Sequence, residues 1–259
     1  MTPCDLLDVL WRGYVAMTPQ AECVRYLLIA RGESLTVDHL ALCTYAVPEI
    51  GIAALARPFE DRGWRARDGY EQGGLRARYW QHDDAALPKV LISELLIDEL
   101  STDARRVIDG LIAQLPEGFA ARGDLPWAGR PWCPSLADYR ALAAESPYAA
   151  WVAAFGLCVN HFTIDVGALS TFPDLAAIDA FLVEHGFLVD ERGGAIKGSR
   201  AERLEHSATV PDRISVAFTD ATVRIPGCPL AMVRRYPLPS GELFHGLAAA
   251  NGPSLVGTA

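Results

Sequence analysis

Two segments of this chain repeat one another 122 residues apart, and each carries a histidine at the same place. The first is Val37-Asp38-His39-Leu40-Ala41-Leu42 and the second is Val159-Asn160-His161-Phe162-Thr163-Ile164. Each leads into a stretch of helical character that closes on glycine and an aromatic, Gly63-Trp64 and Gly186-Phe187, 24 and 25 residues beyond its histidine. A repeated strand-then-helix unit predicts a pseudo-twofold protein, and that symmetry can bring two imidazoles to one centre. The alternative is a chance likeness of two βα units.

At 259 residues, 51% apolar and 21% charged, the chain is long enough to bury a real core. Its formal charge of −9 argues against a nucleic-acid or anionic-membrane partner, which would favour a basic face. Asp5 and Asp8 stand where a signal peptide would be basic, and the uncharged run Tyr148 to Val159 is too short to cross a bilayer. Six cysteines without a CxxC pair fit reduced thiols, so the expected compartment is the cytoplasm.

A single domain over 1–259 is expected, in four parts. Residues 1–33 read as two helices, the second opening at Thr18-Pro19 and stopping at Gly32. Residues 34–96 read as a β-α-β-β-β module. Its first strand, within 35–46, puts His39, Ala41, Cys43 and Tyr45 on one face and Leu40, Leu42 and Thr44 on the other. A helix from about Pro48, shortened or kinked by Pro58, precedes strands at 64–70, 75–81 and 89–95. Residues 97–158 read as a helical insertion, with Ser101 and Ser135 as caps and a long loop at 116–134. Residues 159–259 repeat the module, with strands expected at 186–190, 214–219, 228–236 and 243–248. Both histidines fall on the less apolar face of their strands, which places them inside a concave sheet.

Neutral imidazoles suit Fe(II), Mn(II) or Zn(II), and a carboxylate normally joins them. Glu94, in apolar surroundings at the end of Val90-Leu91-Ile92-Ser93-Glu94-Leu95, is a candidate, against a solvent-facing strand-end charge. His206 and His245 are further candidates, whereas His82 and His185 read as surface residues. Arg234 and Arg235 could hold a substrate carboxylate by bidentate pairing, or form an edge-strand charge pair. No Walker loop, dinucleotide fingerprint, GxSxG elbow or HExxH is present.

These residues resemble the 2-oxoadipate dioxygenase/decarboxylase family over nearly the whole length. The resemblance rests on the two histidine segments, Leu87-Pro88-Lys89-Val90-Leu91-Ile92-Ser93-Glu94-Leu95, Ile196-Lys197-Gly198-Ser199 and Arg235-Tyr236-Pro237. It implies an α+β, vicinal-oxygen-chelate-like fold, in which two βαβββ modules form a concave mixed sheet with N-terminal and central helical additions. It also implies an Fe(II) site that uses O2 to decarboxylate and hydroxylate a 2-oxo acid, with His39 and His161 as metal ligands. The family's third ligand does not carry over. Where the family reads roughly Ile-Pro-Ser-Cys-Tyr-Tyr-Glu-Phe, this chain reads Ile225-Pro226-Gly227-Cys228-Pro229-Leu230-Ala231-Met232, with Ala231 at the glutamate. Cys43 replaces an arginine that looks like the family's substrate anchor, and His206 and His245 stand where glutamine is usual.

The expected protein is a divergent oxygenase/decarboxylase-like enzyme of a small 2-oxo or amino-acid-derived carboxylate, working as a monomer or homodimer. Fe(II) is the expected metal, with Mn, Zn, Ni or Co as alternatives. Glu94, by module symmetry, or His245 or His206 would supply the third ligand and catalytic groups; two histidines with exogenous ligands are the remaining option. Arg78, Arg234 or Arg235 would orient the acid group near Cys43, and Ser207 or Thr209 would hydrogen-bond the substrate. The rivals are a non-redox isomerase, cyclase or lyase on the same scaffold, and a small-ligand carrier.

Overall fold

In the computed structural model, which describes residues 1–246, the two repeats meet edge to edge in one sheet. The first module runs β1 (Val37–Tyr45), α3 (Ile52–Glu60), β2 (Arg65–Gln72), β3 (Leu75–Gln81) and β4 (Lys89–Leu95). The second runs β5 (Val159–Asp165), α7 (Leu175–Glu184), β6 (Lys197–Ser199), β7 (Leu204–Ala208) and β10 (Ala231–Arg235). The eight-stranded order is β2-β3-β4-β1-β5-β10-β7-β6. In each half the first strand is parallel to the last, β1 to β4 and β5 to β10, and β1 and β5 pair antiparallel at the centre. The order is therefore palindromic about the β1–β5 seam, as the repeated histidine segments predict.

Alternation along the strands sorts side chains between two faces. Leu40, Leu42, Val90, Ile92, Phe162, Ile164 and Met232 face the helices and are almost wholly buried in one large core. Helix α1 (Pro3–Met17) is nucleated by a Thr2/Asp5 capping box and buries Leu6, Leu10 and Tyr14 at helical spacing. Trp11 and Tyr14 pack against Phe162 with ring centroids 5.0 and 5.1 Å away, and the Tyr14 hydroxyl donates to the Pro229 carbonyl. Helix α2 (Pro19–Ala30) follows Thr18 and ends before Gly32, whose φ of +87° only glycine adopts freely.

The insertion holds α4 (Thr102–Ile112), α5 (Leu136–Glu145) and α6 (Pro147–Phe155), the first two capped by Ser101 and Ser135 as expected. Every residue of α6 from Tyr148 to Phe155 is buried, so this helix is part of the core. No helix of the described residues is long and apolar enough to cross a membrane.

Four expectations are corrected. Helix α3 begins at Ile52, because Val47 to Gly51 forms a hydrogen-bonded turn, and Pro58 is accommodated near its end. Residues 186–190 form no strand but a single bridge, Val189 to Thr209, since the following Gly193-Gly194 turn leaves no ladder to extend. Arg213–Ala217 is a strand, β8, yet it pairs with β9 (Thr222–Pro226) in a separate ribbon. The place in the main sheet belongs to β7, which carries His206. Of the strand expected at 243–248, only the bridge Pro237 to Leu243 is seen, and 247–248 lie outside the described residues.

Candidate metal centre

The β1–β5 seam sets the histidines side by side, with Ala41 opposite His161 and His39 opposite Thr163. Both rings project from the concave face, their centroids 5.7 Å apart and their planes at 80°. The residue before each histidine fixes its ring. Asp38 Oδ1 lies 2.7 Å from His39 Nδ1, and Asn160 Oδ1 lies 2.7 Å from His161 Nδ1. Carboxylate and amide oxygens only accept, so each Nδ1 carries the proton and each Nε2 presents a lone pair. The Asx–His pairs of the two repeats thus set the same tautomer twice.

Asp38 is itself gripped. Arg235 donates to it from Nε at 2.6 Å and Nη2 at 2.9 Å, and Lys89 Nζ stands 3.5 Å away. Burial works to raise the Asp38 carboxyl pKa, but hydrogen bonds from His39 and Arg235 outweigh it and hold the group well below the carboxylate range. Burial pushes His39 down, partly offset by Asp38, and pushes His161 well down, helped by His39 and His206. Neutral imidazoles keep their lone pairs available to a metal.

His206 on β7 shares the concave face, because it pairs with Val233 while Ala208 pairs with Ala231. Among the described residues, His161 Nε2 and both ring nitrogens of His206 are buried without a hydrogen-bond partner. Each such atom costs about 1–3 kcal/mol, so three on one face mark a place built for an ion or ligand. Two imidazoles in fixed tautomers fit a divalent metal. Among the described residues, however, no group of three His, Cys, Asp or Glu side chains gathers closely enough to hold one. Ala231 lies between Thr163 and Ala208 on the same face, fully buried, and Asp165 turns its carboxylate to the Gly167 N–H.

Burial, with Lys197 and His39, lowers the His206 pKa to about 4. Between that value and the ordinary 6.5 the unfolded chain binds more protons than the folded one. His206 therefore adds no pH-linked cost to the metal-free fold above about pH 6.5, and as pH falls from there toward 4 protonation of the unfolded chain destabilises the fold by up to ~3 kcal/mol. Urea midpoints of apoprotein between pH 7 and 4.5 should fall more steeply for the wild type than for His206→Gln.

Several expected site residues lie elsewhere. Glu94 alternates onto the helix side of β4, where Oε2 accepts from the Ile52 N–H and Oε1 from Arg76. It caps α3 and cannot reach the histidines. The symmetry argument chose the wrong residue, since Ala231 opposite Thr163 corresponds to Leu91 opposite Ala41. Glu94→Ala should lower stability by about 1–2 kcal/mol and leave metal content unchanged, as chemical denaturation and elemental analysis would show. Arg78 is exposed and lines a surface cleft with Gly51, Arg76 and Glu94. Arg234 reaches the Pro173 carbonyl, away from the histidines. Ser207 donates to Asp179, and Thr209 Oγ1 accepts from the Leu230 N–H, so both face the helix side.

Others lie at or near the site in different roles. Arg235 is buried and spent on Asp38 and on the carbonyls of Phe244 and Gly246, so it positions His39 rather than binding substrate. His245 is exposed, its pKa lowered by partial burial and then by Lys89 and Arg235, which places it at the rim of the His39 network. Cys43 is buried beside Ser93, its thiol pushed up to about 12 by burial, and is neutral. Asp38, Asn160, Thr163 and Lys89 were not singled out from the sequence. The Thr163 hydroxyl lies 3.1 Å from His39 Nε2, and Lys89 is the β4 neighbour of His39. An Asx before each repeated histidine was the signal that could have found two of them.

Paired βαβββ modules with facing histidines define a protein of the glyoxalase, or vicinal-oxygen-chelate-like, fold. A profile of the 2-oxoadipate dioxygenase/decarboxylase family matches residues 126–232. The chain is 33% identical over 228 residues to the chloroplastic 2-oxoadipate dioxygenase/decarboxylase of Arabidopsis thaliana, covering 80% of this chain and 60% of that protein. Among solved structures it is similar to a protein of Shewanella frigidimarina (38% identity, TM-score 0.91, 96% of this chain and 98% of that one). It is also similar to the hydroxyglutarate synthase of Oryza sativa in complex with 2-oxoadipate (27% identity, TM-score 0.89, 95% and 88%). The chain belongs to the 2-oxoadipate dioxygenase/decarboxylase family.

Proposed function

We propose that this chain is an Fe(II)-dependent dioxygenase and decarboxylase of a small 2-oxo acid. The observation that carries the reading is the pair of imidazoles fixed in one tautomer, their Nε2 atoms on the same concave face. When bound by His39 and His161, Fe(II) would supply a chelation point for the 2-oxo carboxylate and electrons for dioxygen. Mn, Zn, Ni or Co would accept the same donors. Lys89 adds positive charge beside His39 and so favours an anionic substrate head. Neutral His206 offers one donor and one acceptor to that head from the β7 side. His161 and His206 are both buried, so this part of the site presents little surface to bulk solvent. The 2-oxoadipate held by the rice relative supports a 2-oxo acid as substrate class.

Ala231, at the place where the resemblance sets a carboxylate ligand, favours a second reading: a non-redox isomerase, cyclase or lyase on this scaffold. Protein purified without oxygen and reconstituted with Fe(II) should take up O2 and release CO2 together when given 2-oxo acids. Turnover that needs no O2 would select the second reading, and tight binding without turnover a carrier. Less than about a tenth of an equivalent of any transition metal after reconstitution would end the metalloenzyme reading.

A further inference from the structure

The concave face is chemically lopsided about the two histidines. On the β10-β7-β6 side it carries His206, with both nitrogens unpartnered among the described residues, and Lys197, whose ammonium lies 3.1 Å from Asp190. On the β4-β3-β2 side Ala41, Leu91, Tyr79 and Ala77, joined by Tyr70, pack as an apolar and aromatic cluster separate from the helix-facing core. At one end it meets three neutral polar groups: Cys43, Ser93, and Tyr148, whose hydroxyl lies 2.9 Å from that of Ser93.

Of the described cations near this wall, all but the exposed Arg67 are engaged or face elsewhere. Lys89 and Arg235 both pair with Asp38. Arg76 and Arg78 alternate with Ala77 and Tyr79 along β3, so they point to the opposite face. Arg67 is exposed on β2 and, with its neighbour Asp68 and with Arg235, bears on the Tyr79 hydroxyl from the edge of the wall. A carboxylate laid on this wall would exchange its hydration for aliphatic carbon and ring faces, with the neutral hydroxyls of Tyr70 and Tyr79 as its donors there. A hydrocarbon group would instead gain from its burial there.

We infer that the substrate side chain is uncharged, branched-aliphatic or aromatic, and lies on the wall of Ala41, Leu91, Tyr79, Ala77 and Tyr70. The inference rests on the 2-oxo-acid reading above. The preferred class is then a monocarboxylic 2-oxo acid with an apolar tail directed toward β3, rather than a dicarboxylic one. Leu91 and Tyr79 become the specificity-determining residues.

Titration calorimetry on the Fe(II)-loaded full chain, without oxygen, tests this with 4-methyl-2-oxopentanoate, phenylpyruvate, pyruvate and 2-oxoadipate. The branched or aromatic acid should bind at least about tenfold more tightly than 2-oxoadipate. Tyr79→Ala should cost that acid about tenfold while changing pyruvate less than about twofold, and Leu91→Arg should move the preference toward 2-oxoadipate. Equal or tighter binding of 2-oxoadipate by the wild type would overturn the inference and leave the 2-oxo-acid reading standing. So would a Tyr79→Ala loss equal for pyruvate and the larger acids, which marks a structural role. Binding of none of the four would overturn both. The wild-type comparison decides even if a variant fails to fold.

Discussion

His161→Ala is expected to abolish metal loading, to below about a tenth of an equivalent, while the chain still folds. The imidazole Nε2 is buried without a partner among the described residues, so its removal relieves a desolvation cost. Against that stand the lost bond from Nδ1 to Asn160 Oδ1 and a small cavity at the seam. These effects oppose one another, and the thermal midpoint should move by no more than about 5 °C. Metal affinity has no such compensation, because one of two fixed donors is gone. Asn160→Ala supplies the graded comparison: the ring remains but its tautomer and orientation are released, at about 10- to 100-fold in metal affinity. Full metal content in His161→Ala, by elemental analysis against the wild type, would remove this residue from the centre.

Arg235→Ala is expected to be among the most destabilising single changes in the chain, at about 3–5 kcal/mol. It strips two charge-assisted hydrogen bonds from the buried Asp38 and leaves that carboxylate with His39 and a lysine 3.5 Å away. It also frees the carbonyls of Phe244 and Gly246. Because the folded Asp38 pKa lies well below the ordinary value near 3.8, its stabilisation is complete above that value and is lost as pH falls through the folded one. The variant should therefore begin to unfold at a higher pH than the wild type. Its neighbour gives the control. Arg234→Ala, with its side chain at the Pro173 carbonyl, should cost less than about 1 kcal/mol. Equal losses in the two variants, measured by urea denaturation, would mean that the Asp38 pair is not the source of the Arg235→Ala loss.

The repeat carried most of what could be read ahead of the coordinates. Two copies of one pattern, each with alternating apolar residues around a histidine, predicted the paired modules, the concave placement of the rings and their approach. Caps at Ser101 and Ser135 and the glycine at 32 predicted helix ends because these are local events, decided within a turn of the chain. The weak stretch was the second module. Leu204 to Ala208 is short and half polar, and its ladders with β10 and β6 make it a strand. The hairpin at 213–226 has strand character of its own and therefore claimed a place in the main sheet that it does not occupy.

The amino-acid order by itself determined the duplication, the two imidazoles and the Asx that orients each, since all three lie within a few residues of one another along a strand. Only the tertiary structure decided which charged groups attend them. Glu94 was drawn away by an unsatisfied helix N-terminus and Arg76, and Arg235 was drawn in by a carboxylate 197 residues distant. Buried charges go where a partner awaits them, and partners are a property of the folded sheet, whereas periodicity is already present in the unfolded chain.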